Sequence, residues 1–244
     1  MIPIGRAAFF AAGGFDPSAY PGFAGDWLVD LAHTSGGNIV DIDSNGSSSG
    51  PMTAFGTTAI NTWPTGVGGA AAKLDNLALC GLRVSSVQGS TEVDFDSFSA
   101  TYADSAVANA NAQWEVLIGT FGGPFIGGVI HTYSFTSETR LYDQSSAWVD
   151  ATAPIAGAQI IHIRRRHLES PNTRVWRNDV LILQGDTDAI EANAITIGTV
   201  YSGAPLGPGY QFEGLFKRLS FYTGALLTEP DAAEIRAAYA ELYL

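Results

Sequence analysis

From about residue 26 onward, short runs of alternating apolar and polar residues are separated by clusters of Gly, Asn, Asp, Ser and Pro. A period of two sends successive side chains to opposite faces of an extended chain, so each run reads as a β-strand and each cluster as a turn. The spacing predicts strands at 38–43, 91–98, 113–119, 128–135, 158–167, 174–183, 194–200 and 214–222. In 91–98 the alternation is strict: Val93, Phe95 and Ser97 fall on one face, Glu92, Asp94 and Asp96 on the other. In 212–222, an unbroken strand points Phe212, Gly214, Phe216, Arg218 and Ser220 one way and Leu215, Lys217, Leu219 and Phe221 the other. Gly214 leaves room for a close backbone approach or a bulge.

One segment keeps a different period. Thr228 stands as an N-cap before Glu229-Pro230-Asp231, with Pro in the first turn and a carboxylate three residues after the cap. Ile235, Ala238, Tyr239 and Leu242 then recur at helical spacing, which predicts a helix over 229–243. Residues 1–25 are rich in Gly, Ala and Pro with scattered aromatics (Phe9, Phe10, Phe15, Tyr20, Phe23) and read as an arm or irregular segment that docks through its rings. The remainder, 26–244, reads as one domain.

Composition supports this division. Hydrophobic residues make up 46% of the 244 and charged residues 15%. A chain of this length buries roughly 70–75% of its unfolded surface, so no metal or disulfide is needed for stability. The single Cys80 lies in an apolar stretch and is expected to be a buried, inert thiol. A net charge of −12 repels phosphate backbones and anionic lipid, which argues against nucleic acid and membrane as partners. No run reaches the ~18 apolar residues of a membrane span, and the N-terminal apolar stretch is too short and broken for a signal peptide. A soluble protein made in a reducing cytoplasm is expected.

Several groupings suggest chemistry. Asp41-Ile42-Asp43-Ser44-Asn45-Gly46 matches the opening of a calcium loop, with oxygen donors from Asp41, Asp43 and Asn45. Met52 stands where that loop needs its bidentate Glu, and Asn-Gly is equally a hairpin turn. His162-Ile163-Arg164-Arg165-Arg166-His167 is the one basic concentration. On a strand Arg164 and Arg166 face away from Arg165, and the run either grips an acidic partner or decorates an exposed edge. Of five tryptophans, Trp63 and Trp148 sit near turn clusters and are the candidates for an exposed sugar-stacking face. Gly66-Val67-Gly68-Gly69 follows Trp63-Pro64-Thr65 rather than a parallel strand, so it reads as a loop and not as a dinucleotide fingerprint. The four histidines show no metal-ligand spacing.

About the C-terminal third of the chain carries a resemblance. A strand at 161–165 leads through Ser170-Pro171-Asn172-Thr173 into a strand that turns at Asn178-Asp179. Ala194-Ile195-Thr196-Ile197-Gly198 follows, then Phe212-Glu213-Gly214-Leu215-Phe216-Lys217-Arg218-Leu219-Ser220-Phe221-Tyr222, then the helix start at Leu227-Thr228. This order resembles the laminin-G-like, concanavalin A-type jelly rolls, with Asn178-Asp179 replacing their Asn-Gly turn. The resemblance implies an all-β, two-sheet antiparallel β-sandwich with a short C-terminal helix. Such domains are similar to ones in bacteriophage virion proteins, which implies a non-catalytic decoration, head-fibre or tail-associated role in a virion. The partners would be other virion or capsid proteins and further copies of the chain. Jelly rolls that cleave β-glucans look similar at Glu92, Asp94 and Asp96, but they carry Glu where Asp96 stands, and a shorter acid is misplaced.

The expectation is therefore a structural or binding module that is not an enzyme and needs no cofactor, Ca²⁺ being the one ion suggested. The alternative is a carbohydrate-binding lectin or adhesin module, Ca²⁺-dependent or not, that recognises a cell-surface glycan. A retaining β-glucan hydrolase is the third reading.

Overall fold

In the computed structural model the described residues are 15–45, 49–75, 80–84, 94–104, 114–121, 126–133, 138–142, 148–153, 155–186, 194–198 and 212–244. For 114–121, 126–133, 138–142, 148–150 and Ala194 the backbone alone is described. A 3₁₀ turn at Pro17–Ala19 leads into β1 (Phe23–Ser35). The chain reverses through Gly36 and Gly37, whose φ angles of 59° and 81° suit a two-residue type I′ hairpin, into β2 (Asn38–Ser44). There follow β3 (Met52–Gly56), β4 (Ala59–Thr62), β5 (Ala70–Leu74), β6 (Cys80–Val84), β7 (Phe95–Ala103) and β8 (Trp114–Phe121). Next come β9 (Ile126–Tyr133), β10 (Glu138–Tyr142), β11 (Trp148–Thr152) and β12 (Gly157–Arg165). The last strands are β13 (Thr173–Arg177), β14 (Val180–Gly185), β15 (Ala194–Ile197) and β16 (Gly214–Thr223), and the chain ends in α1 (Glu229–Tyr243).

The strands hydrogen-bond in the order β11-β10-β9-β8-β15-β6-β3-β2-β4-β5-β16-β7-β12-β13-β14, and β1 pairs with both β16 and β2. These pairings close a five-strand barrel, β1-β2-β4-β5-β16, with the other strands outside it. The expected two-sheet sandwich is thereby corrected. The cause lies in β1, whose register breaks between Trp27 and Ala32. Its first part, Phe23 to Leu28, runs against β16, while Ala32 to Ser35 run against β2. One strand long enough to serve two neighbours closes the ring that β2, β4, β5 and β16 leave open.

Local chemistry explains most of the elements. The turn at Asn178-Asp179 has φ of 50° and 64°, the left-handed pair that a type I′ hairpin needs and that Asn and Asp tolerate. It divides the expected strand 174–183 into β13 and β14. Thr228 and Asp231 form a reciprocal capping box at the start of α1, with Pro230 in the first turn. β16 shifts register between Phe216 and Arg218, so Lys217 drops out of the ladder. The parity expected for an unbroken strand is thus corrected: Phe216, Leu219 and Phe221 share one apolar cluster, while Leu215 and Tyr222 join another beneath α1. A Cβ on Gly214 would lie 2.0 Å from the Tyr102 carbonyl oxygen, the close approach that glycine permits.

Two clusters of buried residues lie on opposite faces of β7, β12 and β16. The larger gathers Trp27, Ile42, Met52, Leu82, Phe95, Ile163, Val175 and Phe221 from strands far apart in the order. The second packs Trp63, Phe98, Ile160, Leu215 and Tyr222 against Ile235, Tyr239 and Tyr243 of α1. No helix among the described residues is long and apolar enough to cross a membrane.

Candidate functional site

The bulge in β16 has a chemical result. Lys217, released from the ladder, reaches Asp30 of β1, and Nζ pairs with Oδ2 and also donates to the Ala70 carbonyl at 2.7 Å. Asp30 Oδ1 accepts the Ala70 N–H at 2.7 Å. The pair is nearly dry, with side-chain exposures of 1% for Lys217 and 10% for Asp30. Burial draws the Lys217 ammonium below its ordinary range, opposed by the Asp30 carboxylate.

A cavity of about 160 Å³ lies over this pair, where β1, β16, the loop between β4 and β5, and the last turn of α1 converge. Its walls include Phe15, Leu28, Val67, Leu242 and Tyr243. The loop is pinned, because Val67 N–H donates to the Leu242 carbonyl at 2.8 Å. A Cβ on Gly69, whose φ is +87°, would stand 2.3 Å from Asp30 Oδ1 and 2.8 Å from Lys217 Nζ. Only glycine lets the loop close over the ion pair. Arg218 also lines the cavity, but its guanidinium is engaged, donating to both Asp26 oxygens at 2.7 and 2.8 Å and to the Tyr243 hydroxyl at 3.2 Å. It stands 5.4 Å over the Phe15 ring. The arrangement offers a polar floor inside apolar walls, which can hold a small polar ring.

Two of the three carboxylates expected on one strand are among the described residues, and each is engaged. Glu92 lies outside the described residues, and Asp94 receives the His167 backbone N–H at 2.6 Å. Asp96 is 1% exposed and faces α1, not solvent. It meets His162 Nε2 at 2.8 Å, Arg164 Nε at 2.8 Å and Arg166 Nη2 at 2.5 Å. Burial alone would raise the Asp96 carboxyl, but His162 and the two guanidinium groups outweigh it and hold it down at about 2. The exposed basic edge is corrected: Arg164, Arg165 and Arg166 are all buried. Arg164 and Arg166 do share the helix-side face, as strand geometry requires. Arg236 of α1 donates to His162 Nδ1 at 3.1 Å, so the imidazole proton sits on Nε2. The ring is stacked between Phe98 and Trp176, with centroids 4.2 and 4.6 Å away, and burial pushes it down to about 4.

Trp63 is 1% exposed and gives its indole N–H to the Tyr243 carbonyl at 3.2 Å, which corrects its expected place on a sugar-stacking surface. The Trp148 side chain lies outside the described residues. Asp41 and Asp43 share a face of β2, and the β1–β2 register adds His33 to them, with Nδ1 2.6 Å from Asp41 Oδ1 and Nε2 3.8 Å from Asp43 Oδ2. Their ligand atoms fall within 4.8 Å of one another. This nitrogen-and-oxygen set suits a borderline transition metal better than Ca²⁺. His33 and Asp43 are exposed, and Asn45 gives its backbone N–H to the Asp26 carbonyl at 2.7 Å. Cys80 is buried, its thiol donates to the Asp75 carbonyl at 3.2 Å, and burial pushes the thiol up.

Sequence reasoning found the loop at Gly66–Gly69 but not Asp30 or Lys217. The signal available was a lysine placed among the apolar residues of a strand, which only the bulge reconciles with the core.

No protein-family model matches the sequence, and no curated protein shows significant similarity to it. Solved structures do share its overall shape. Domain 4 of AbnA, a GH43 extracellular arabinanase from Geobacillus stearothermophilus solved with arabinotriose, is 15% identical, with a TM-score of 0.57 over 92% of this chain and 100% of that one. Trypanosoma rangeli sialidase in complex with sialic acid is 12% identical, with a TM-score of 0.58 over 91% of this chain and 33% of the enzyme. The binding domain of Paraclostridial Mosquitocidal Protein 1 is 11% identical, with a TM-score of 0.58 over 92% of this chain and 53% of that one. The chain thus spans a third of the sialidase and about half of the toxin domain. At these identities the likeness establishes a shared fold, and the fold alone.

Proposed function

We propose that the chain is a non-catalytic binding module whose ligand is a carbohydrate, seated in the cavity over Asp30 and Lys217. The observation that carries this reading is the cavity itself: a buried ion pair with hydrogen-bonding capacity to spare, enclosed by aromatic and aliphatic side chains. A few convergent polar groups inside apolar walls are the general form of a small-molecule site. Glycoside hydrolysis with retention needs two carboxyls about 5–5.5 Å apart. Among the described residues lining the cavity, Asp30 is the one carboxylate. Asp96 is buried between the His162 imidazole and the Arg164 and Arg166 guanidinium groups, out of reach of a substrate. The fold supports the reading too, since the arabinanase domain was solved with arabinotriose.

Calorimetry of the purified chain against a panel of monosaccharides and short glycans tests it. Val67 is 56% exposed at the cavity, and a Val67→Trp variant fills the opening without touching the ion pair. Saturable heat from the parent, absent in this variant, with no new reducing ends, is the expected result. A defined ring or trimer in light scattering, with no sugar giving heat, would instead favour the assembly role in a virion.

A further inference from the structure

We infer that the cavity takes a single neutral sugar ring carrying two adjacent free hydroxyls, the terminal residue of a glycan, and rejects acidic and amino sugars. This rests on the binding-module reading above and follows from three properties of the site.

The first is size. Drug-sized ligands occupy pockets of about 300–1,000 Å³, whereas a buried cavity of about 150 Å³ holds one benzene ring. At about 160 Å³, this cavity seats part of one sugar ring, with the remaining hydroxyls at the opening beside the exposed Val67, and not the interior of a chain.

The second is hydrogen-bonding capacity. An ammonium has three N–H donors, and Lys217 directs two of them to Asp30 Oδ2 and the Ala70 carbonyl. One donor remains. A carboxylate offers about four lone-pair sites, of which Asp30 uses one for Lys217 and one for the Ala70 N–H. A spare donor therefore lies beside spare acceptors. A pair of neighbouring hydroxyls matches this, one oxygen accepting from Lys217 while the other O–H donates to Asp30. The apolar face of the ring then lies against Phe15 or Tyr243, which line the same space.

The third is charge. Each cation lining the cavity already has its anion, Lys217 with Asp30 and Arg218 with Asp26. A ligand carboxylate would enter a poorly hydrated site beside Asp30 with no unmatched cation to receive it, and a ligand ammonium would meet Lys217 in the same way. Neutral ligands escape both costs.

Calorimetry on the full chain tests this with methyl glycosides of neutral pentoses and hexoses, their deoxy analogues lacking one of the paired hydroxyls, a uronic acid, sialic acid and an amino sugar. A neutral glycoside is expected to bind with an affinity unchanged between low and high salt, and loss of one hydroxyl is expected to weaken it about ten- to a hundredfold. Lys217→Met is expected to abolish binding. Should that variant unfold, Val67→Trp supplies the blocked site in a folded protein. Binding of the acidic or amino sugar in preference to the neutral one overturns this inference and leaves the module reading standing. Silence across the whole panel overturns both.

Discussion

Asp96 and His162 lie two residues out of register on neighbouring strands, yet His162 Nε2 is 2.8 Å from Asp96 Oδ1. The ladder sets Arg164 opposite Asp96 and Phe98 opposite His162, so the contact runs diagonally across one face of the sheet. It is the centre of the joint between sheet and helix. Arg164 extends to Glu229, Glu229 to Arg236, and Arg236 back to His162 Nδ1. Asp96, His162 and Arg164, which look catalytic or adhesive in the sequence, hold α1 in place.

Removing the charge of Asp96 is therefore expected to be severe. Asp96→Asn leaves Arg164 and Arg166 buried beside a neutral amide, and a buried ion pair broken from one side costs about 3–5 kcal/mol. Asp94→Asn makes the contrast, because Asp94 and His167 are side-chain exposed by 19% and 43% and such pairs contribute at most about 1 kcal/mol. Urea unfolding of both variants checks the difference, and equal losses would contradict the assigned burial.

The same network sets a pH dependence. Burial lowers the His162 pKa from 6.5 to about 4, so the folded protein keeps the ring neutral where the unfolded chain protonates it. Between those values the unfolded state binds more protons, and stability falls as pH falls, by on the order of 3 kcal/mol at pH 4. Asp96, lowered from 3.8 to about 2, adds a loss that begins near pH 3.8 and continues toward 2. The urea midpoint is expected to decline from pH 6.5 to 4, and His162→Gln is expected to flatten that decline. An imidazole NMR signal showing His162 charged at pH 6 would refute the account.

The sequence made some of this legible. The alternation at 38–43, 113–119 and 128–135 located β2, β8 and β9, and Thr228-Glu229-Pro230-Asp231 located the start of α1. It did not locate β1, because Ala24 to Val29 are buried without a break and a strand covered on both faces loses its period of two. Barrel closure depends on which strands pair, and periodicity carries no pairing information. Alternation alone leaves the burial of Asp96 open, because the helix covering its face lies far along the chain. The cavity was hidden for a similar reason: Asp30 and Lys217 are 187 residues apart and meet through a bulge with no distinctive sequence mark.

The capping box gives a local test of how α1 is held. Thr228→Ala removes the hydroxyl that accepts the Asp231 N–H, and loss of a Thr cap costs about 1 kcal/mol. The helix is also tied by Ile235, Tyr239 and the Arg236 contacts, so it is expected to stay docked. Far-UV circular dichroism should be unchanged while the melting temperature falls by a few degrees. A loss of helical signal would mean that the cap, not the packing, decides whether α1 forms.

Two glycines separate backbone strain from steric exclusion. Gly36 has φ of +59° and open space where a side chain would stand, so Gly36→Ala bears only the left-handed penalty of roughly 1–2 kcal/mol. Gly69 has φ of +87°, and its added methyl would sit 2.3 Å from Asp30 Oδ1, displacing either the loop or the carboxylate. Gly69→Ala is therefore expected to destabilise more than Gly36→Ala, and also to abolish sugar binding, because the Asp30–Lys217 floor moves. Gly36→Ala should bind like the parent, since the β1–β2 turn does not line the cavity. Melting curves and calorimetry on the two variants together decide the matter. A Gly69→Ala protein that binds sugar with parental affinity would show that the ligand sits elsewhere.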